Sequence, residues 1–182
     1  AIAMRLPDTL SSERETLQEV EKEAIFNLLN QVIKDIESYR RDEGKALEKD
    51  FLKRIDLIEG HLTSVIKIDP ERSDKIEQKL RSALDDLKIE VDTNRFEQEL
   101  IFYLEKFDIT EEKVRLKNHL DYFKEVMKND FPNGKKLGFI AQEIGREINT
   151  IGSKANHAEL QKVVVQMKDE LEKIKEQLLN VL

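Results

Sequence analysis

The chain contains no cysteine and no tryptophan, and it has only three prolines, six glycines and three histidines among its 182 residues. Without cysteine it can form no disulfide, use no thiolate nucleophile and bind no zinc through sulfur, so any chemistry must rest on oxygen and nitrogen groups. No apolar run approaches the ~20 residues that cross a bilayer, and the first residues lack the charged and then apolar pattern of a secretion signal. We therefore expect a soluble protein, by default in the cytoplasm.

Charged residues dominate the composition. They make up 38% of the chain, hydrophobic residues reach 39%, and the mean hydropathy is -0.58, a mixture typical of long helices that bury one stripe and solvate the rest. The formal net charge of -7 argues against indiscriminate binding of nucleic acid, because phosphate contacts need a concentrated basic surface. Between residues 132 and 155 the balance reverses, with four basic against two acidic residues, so local binding is not excluded.

Apolar residues recur at helical spacing along most of the chain. The pattern predicts an all-α fold of long antiparallel helices with coiled-coil-like packing, and residues 1–6 can be read as the remnant of a strand. The expected helices cover 12–42 and 46–68, a third that starts at Asp69 with Pro70 in its first turn and runs to Phe107, and three more after Asp108, Gly134 and Asn156.

The last expected helix carries a regular heptad pattern. Its apolar residues alternate at spacings of four and three, which is typical of a coiled-coil seam: Leu160, Val164, Met167, Leu171, Ile174, Leu178 and Val181. Such a seam needs a partner, which is either the second or third expected helix folded back or another copy of the chain.

The segment 134–154 departs from the rest of the chain. Gly138, Gly145 and Gly152 fall within or at the end of its apolar pattern, and each costs a helix roughly 1 kcal/mol relative to alanine. On its polar face Glu143 and Glu147 are one turn apart, with Arg146 between them and amides on either side. This face is either a functional site or an ordinary solvated surface with an i,i+3 ion pair, and spacing alone does not decide between them.

Several short motifs occur in an order that suggests a family. They are residues 94–99, Asp108 to Glu112, Arg115-Leu116, His119, 134–137, Gln142-Glu143, Arg146-Glu147, Asn149-Thr150 and Ser153-Lys154. Together they resemble the C-terminal half of the YicC/YloC endoribonuclease family over residues 94–182, and residues 39–50 are similar to the end of the family's N-terminal domain. The resemblance implies a chain that lacks most of that N-terminal domain. It divides the chain into 1–48, the end of that domain, 49–93, a helical hairpin or coiled-coil arm, and 94–182, the family's C-terminal domain.

The sequence departs from the family pattern at two glycines. Gly138 stands where the family usually has the aspartate of Leu-Asp-Phe, and Gly145 stands where it usually has the asparagine of Gln-Glu-Met-Asn-Arg-Glu. The chain has therefore lost a carboxylate and an amide, which puts any role of these two positions in doubt.

The resemblance implies a bacterial cytoplasmic enzyme that cleaves RNA with a divalent metal and assembles as a homo-oligomeric ring, with a hexamer as the expected assembly. A chain without cysteine and with few histidines would need a carboxylate-rich metal site, which suits Mn or Mg. The residues that the resemblance singles out fall into three sets: Glu143, Glu147 and His119 for catalysis; Glu97, Glu99, Glu111, Glu112, Glu143 and Glu147 for the metal; and Lys135, Lys136, Arg146, Asn149, Ser153 and Lys154 for RNA.

Each of these assignments has a structural alternative. His119 can be a boundary histidine on an amphipathic helix, and the glutamates can be solvated faces or favourable first-turn charges. The aromatic residues Phe96, Phe102, Phe107 and Phe139 can stack on bases, although core packing is the expected role. For the whole chain, the alternative to a nuclease is a non-catalytic helical scaffold or oligomerisation module.

Overall fold

The computed structural model describes residues 17–86, 93–128 and 133–181. Within these ranges the chain forms five α-helices and no strand: α1 Glu19–Asp86, α2 Thr93–Phe107, α3 Thr110–Met127, α4 Gly134–Lys154 and α5 Ala158–Leu178. The all-α prediction is confirmed. The expected strand remnant at residues 1–6 lies outside the described residues. In the part of the chain that the structure describes, no helix combines the length and the apolar character that crossing a membrane requires.

The first helix corrects the expected boundaries. Breaks at Gly44 and Pro70 were expected, yet α1 passes through both as one helix of 68 residues. A proline inside a helix removes a backbone donor and costs about 3 kcal/mol, but buried groups flank it here. Buried Asp69 accepts from Lys113 of α3 at 2.6 Å, and buried Arg72 donates to the Phe107 carbonyl at 2.8 Å, so tertiary contacts hold the helix on both sides of Pro70. The expected continuation to Phe107 passes through residues 87–92, which lie outside the described residues; the description resumes with α2 at Thr93.

The chain divides into two compact units, residues 1–43 and residues 44–182. In the first unit, residues 17–43 are helical from Glu19 onward and all of their side chains are exposed. The large apolar side chains among them are exposed as well: Leu17, Val20, Ile25, Phe26, Leu28, Leu29, Val32, Ile33, Ile36 and Tyr39.

The second unit holds the hydrophobic core. The apolar stripe expected between residues 46 and 68 is buried there, from Phe51 to Val65, and it shares one cluster with α3, α4 and α5. Phe51 and Phe123 meet edge to face, with ring centroids 6.1 Å apart. The heptad positions of α5 from Leu160 to Leu178 are also buried in this cluster. The coiled-coil seam thus has its partners within the same chain.

Helices α3 and α4 run antiparallel. The end of α4 meets the start of α3, where Lys154 Nζ lies 2.7 Å from Glu112 Oε1. The start of α4 meets the end of α3, where Asn133 Nδ2 donates to the Val126 carbonyl at 2.9 Å. These two contacts fix the register of α3 and α4, which places the polar rows of the two helices side by side.

Two glycines of α4 lie where α5 comes close. A Cβ at Gly152 would meet Val164 Cγ1 at 3.0 Å, and a Cβ at Gly145 would meet Leu171 Cδ2 at 3.2 Å. A Cβ at Gly138 would meet nothing within 4 Å. Close helix packing therefore accounts for Gly145 and Gly152, whereas nothing in the structure accounts for Gly138.

Acids of α1 pair with lysines of α3 along one edge of the core. Lys124 Nζ lies 2.7 Å from carboxylate oxygens of both Asp56 and Glu59, and Lys117 Nζ lies 2.9 Å from Glu59. Further along the same edge of the core, Lys113 Nζ lies 2.6 Å from a carboxylate oxygen of Asp69. We call this set the α1–α3 charge seam; it sets α1 antiparallel to α3.

Candidate active site and nucleic-acid interface

Two polar rows face each other where α3 packs on α4. The row on α3 has an i, i+3, i+7 spacing that keeps its members on one helix face, and the row on α4 runs in the opposite direction beside it. We call these residues the α3–α4 site: Glu112, Arg115, His119 and Tyr122 on α3, and Lys136, Glu143, Glu147 and Lys154 on α4.

Contacts across the helices close the site at both ends. At one end Lys136 Nζ lies 5.0 Å from the centroid of the Tyr122 ring, a cation–π distance. At the other end Lys154 Nζ donates to Glu112 Oε1 at 2.7 Å and to the Asp108 carbonyl at 3.0 Å. Lys136 and Lys154 of α4 thus both contact residues of α3, and the other site residues lie between these two contacts.

Two carboxylates of the site are buried. Glu112, which is paired with Lys154, is 5% exposed, and Glu147 is 8% exposed, whereas most glutamates lie at the surface. Oε2 of Glu112 is buried and has no hydrogen-bond partner among the residues that the structure describes. A buried polar atom without a partner costs folding free energy, so such atoms occur where function requires them or where a ligand binds.

Burial raises the pKa of Glu147 above its ordinary value. The positive charges of Arg115 and His119 oppose this rise in pKa, and the negative charges of Glu112 and Glu143 add to it. The structure therefore brings these five groups within electrostatic range of one another. Carboxylates with a raised pKa beside cationic groups are the usual components of acid–base and metal sites.

A second, exposed stripe of α4 borders the site. It follows the helix surface at spacings of four and three residues: Lys135, Phe139, Gln142, Arg146, Asn149 and Ser153. Phe139 is 68% exposed, so its expected place in the core is wrong, as it is for Phe102 on α2 at 60% exposure. The stripe is free of acidic residues and offers cationic, amide and aromatic groups on one line.

Residues 65–182 match the family model for the C-terminal region of YicC-like endoribonucleases. The chain belongs to the YicC-like endoribonuclease family. It is 35% identical over 185 residues to a "Probable endoribonuclease YicC" of Clostridioides difficile, in an alignment that covers 97% of this chain. It is 26% identical over 178 residues to a protein of the same name from Haemophilus influenzae, with 98% of this chain covered. In both cases the chain spans 62% of the relative's length.

The YicC-like chain brings together only part of the expected metal set. Glu112 lies with Glu143 and Glu147, whereas Glu111 is exposed and lies 2.5 Å from Arg115 in an ion pair along its own helix. Glu97 and Glu99 are exposed on α2. Among the described residues, no group of three or more histidines, aspartates or glutamates has the arrangement that could hold a metal ion by itself.

The groups expected to bind RNA divide between the two surfaces. Lys135, Arg146 and Asn149 are exposed on the stripe, and Arg146 is paired with Glu143 at 2.8 Å. The i,i+3 ion pair of the structural alternative therefore exists. Ser153 Oγ donates to the Thr150 carbonyl at 3.0 Å. Lys136 and Lys154 belong to the α3–α4 site instead.

Arg115 and Tyr122 are the site residues that no sequence prediction assigned. Arg115 was noticed only as part of a family motif, although its spacing of three from Glu112 and four from His119 places all three on one helix face. The spacing on α3 indicates a site only when α4 is known to pack against this face, because α4 brings Glu147 within electrostatic range of Arg115 and His119.

Glu112 and Glu147 fit a hard divalent cation in their donor chemistry. Both are buried carboxylates, and one oxygen of Glu112 has no partner among the described residues. Magnesium is commonly held by one or two protein carboxylates, with waters and substrate phosphates completing its shell. A third protein ligand is therefore not required for such an ion to bind together with RNA.

Proposed function

We propose that this YicC-like chain takes part in divalent-metal-dependent endonucleolytic cleavage of RNA at the α3–α4 site. The observation that carries the proposal is the pair of buried glutamates, Glu112 and Glu147, beside the cationic groups of Arg115 and His119. The names of the two relatives support RNA as the substrate class. The resemblance implies that this activity belongs to the cytoplasm.

The residues of the site have separable roles in this proposal. Glu112 and Glu147 would hold Mn²⁺ or Mg²⁺, which when bound supplies Lewis-acid polarisation and an acidified water. The Arg115 guanidinium would neutralise charge on the phosphoryl oxygens, and His119 would donate a proton to the departing oxygen. Lys154 holds one oxygen of Glu112 at 2.7 Å, which leaves the other oxygen available to the metal.

The exposed stripe of α4 would bind the RNA strand next to this site. Lys135 and Arg146 supply charge for phosphates, and the exposed Phe139 ring offers a face for an unpaired base. A stripe without acidic residues is notable in a chain whose formal net charge is -7. The basic groups of the stripe thus make local binding of RNA compatible with an acidic protein.

Cleavage of a labelled structured RNA by the full chain tests the proposal. We expect cleavage with Mn²⁺ or Mg²⁺, none with chelator, and a loss of about 100-fold or more in the rate for Glu147→Gln and for Glu112→Gln. Glu125→Gln is the matched control, since Glu125 is exposed on α3 outside the site. Divalent-ion binding, followed by calorimetry, should weaken in the same two variants and not in the control. Cleavage that persists in chelator or in the double variant would contradict the proposal.

The exposed apolar residues of 17–43 favour an additional role in association. Contiguous apolar surface of this kind usually marks an interface between proteins. We propose that the chain forms a homo-oligomer through this segment, with the hexamer as the assembly that the resemblance implies. Association through this segment is compatible with RNA cleavage. A chain that associates but does not cleave RNA would instead be a helical scaffold.

A further inference from the structure

A cavity of about 440 Å³ lies outside the α3–α4 site. It is formed by the last part of α1, the end of α2 and the connection between α4 and α5, and we call it the α1–α2 pocket. Its volume is in the range of pockets that take small ligands. The pocket adjoins the α3–α4 site along the chain, because Phe107 in its wall precedes Asp108, and His157 follows Lys154 by three residues.

The walls of the pocket are largely apolar and include flat rings. Tyr103 and Phe107 stack on each other, with centroids 6.5 Å apart and an angle of 19° between the ring planes. Ile76, Leu80 and Ala83 line the pocket from α1. Stacked aromatic rings beside aliphatic side chains suit a flat, largely apolar group such as a nucleobase.

Every charged residue that lines the pocket is basic, in a chain with a formal net charge of -7. These residues are Arg72, Lys75 and Lys79, all on α1. Lys75 is paired with Glu71 at 2.6 Å. Lys79 has no ion pair with any residue in the described part of the chain. The pocket therefore favours an anionic ligand, with Lys79 as the cation most available to it.

Two buried polar atoms at the pocket lack partners among the described residues. Arg72 is 2% exposed; its Nε donates to Asp69 Oδ1 and its Nη2 to the Phe107 carbonyl, each at 2.8 Å, while Nη1 has no partner. Nδ1 of His157 is likewise buried without one. Both atoms are enclosed by protein, so they belong to the wall of the cavity and do not themselves contact its open space.

We propose that the α1–α2 pocket binds one unpaired nucleotide of the RNA. The base would occupy the space between the aromatic rings and the aliphatic side chains of α1, and its phosphate would accept from Lys79. The identity of the ligand as RNA rests on the proposed function, whereas the pocket itself does not. Because the pocket adjoins the Lys154 end of the α3–α4 site, it would hold a nucleotide to one side of the bond that is cut.

Binding of a short fluorescent, unstructured oligoribonucleotide to the full chain in chelator tests this proposal without any need for cleavage. Ala83→Trp should fill the pocket and Lys79→Glu should repel the phosphate, and we expect each to raise Kd by about 5-fold or more. The controls make the same changes on the same helix outside the pocket: Ser82→Trp and Lys67→Glu, both at exposed positions. We expect these controls to change Kd by less than about 2-fold.

The outcomes test the proposal for the α1–α2 pocket separately from the proposal for the α3–α4 site. Circular dichroism checks that all four variants remain folded. Normal binding by Ala83→Trp, equal weakening by the controls, or no binding of the oligoribonucleotide by the unmodified chain would overturn the pocket proposal. Weaker binding in the pocket variants, together with a failure of metal-dependent cleavage, would support the pocket and reject the active site. Competition by AMP but not by ribose 5-phosphate is also expected, because the pocket needs the base.

Discussion

Glu147 shows how burial and charge act on a single residue. Its carboxylate is buried between α3 and α4 and has cations and acids within electrostatic range, and the net effect is a raised pKa. The sequence predicted Glu143 and Glu147 as a pair on one helix. It did not predict that Glu147 would be buried and Glu143 only half-buried and paired with Arg146, because that depends on the register of α3 against α4.

The raised pKa of Glu147 has a consequence for stability that can be measured. A carboxyl whose pKa is higher in the folded chain stabilises the fold fully below its ordinary pKa of 4.5, and this contribution is lost as pH rises through the higher folded value. Glu147→Gln imitates the protonated form, so we expect it to raise the free energy of unfolding at pH 7.5 by about 1 kcal/mol. This gain should disappear near pH 4.

Thermal unfolding at the two pH values checks this prediction. Glu143→Gln is the comparison, since Glu143 is more exposed and paired with Arg146, and it should change stability by less than about 0.5 kcal/mol. A loss of stability in Glu147→Gln at pH 7.5 would show instead that its negative charge is favourable. The same substitution is expected to abolish cleavage, so stability and activity should change in opposite directions.

At the scale of elements, α1 and α4 show where local sequence signals fail and where they hold. Asp69-Pro70 has the local pattern of a helix start, but burial of Asp69 and Arg72 overrides it. The apolar period of α4 and α5, by contrast, correctly predicted which faces are buried. In α4 and α5 the apolar period marks the buried face, whereas the proline of α1 reports only a local preference that tertiary contacts outweigh.

The glycines of α4 give a test of the α4–α5 contact. Gly138→Ala adds a methyl group in open space, and we expect it to raise the free energy of unfolding by about 1 kcal/mol. Gly152→Ala would place its methyl 3.0 Å from Val164 Cγ1, and a β-branched side chain in a helix cannot easily rotate away. We expect that variant to lose about 1 kcal/mol or more. Urea unfolding of both variants measures the difference; an equal gain in both would mean that α5 moves aside at no cost.

At the scale of the whole molecule, the fold class, the buried stripes and the family could be predicted from the sequence. The pocket could not, because Arg72, Phe107 and His157 come from three elements whose packing no local pattern reports. The exposure of residues 17–43 could not be predicted either, since their apolar period reads like that of a buried helix. An exposed apolar face of this kind usually marks an interface between proteins.

Association of the chain is therefore the prediction at this scale. Light scattering should give a mass above 21.3 kDa for the full chain, and replacing Leu29 and Ile36 by lysine should lower it to the monomer value. The control replaces Asn30 and Ser38, which are exposed polar residues of the same segment, with lysine. A monomer mass for the unmodified chain at every concentration would reject association through this segment.

In an assembly of several copies, the α1–α3 charge seam has a role beyond holding one chain together. Its α1 side contributes only acids and its α3 side only lysines, and hydrogen bonds from Lys124 and then Lys117 keep the pKa of Glu59 below its ordinary value. Two α1 helices, or two α3 helices, brought together at these positions would place like charges in contact. The opposite signs of the two sides therefore favour the pairing of α1 with α3 over the pairing of either helix with its own copy.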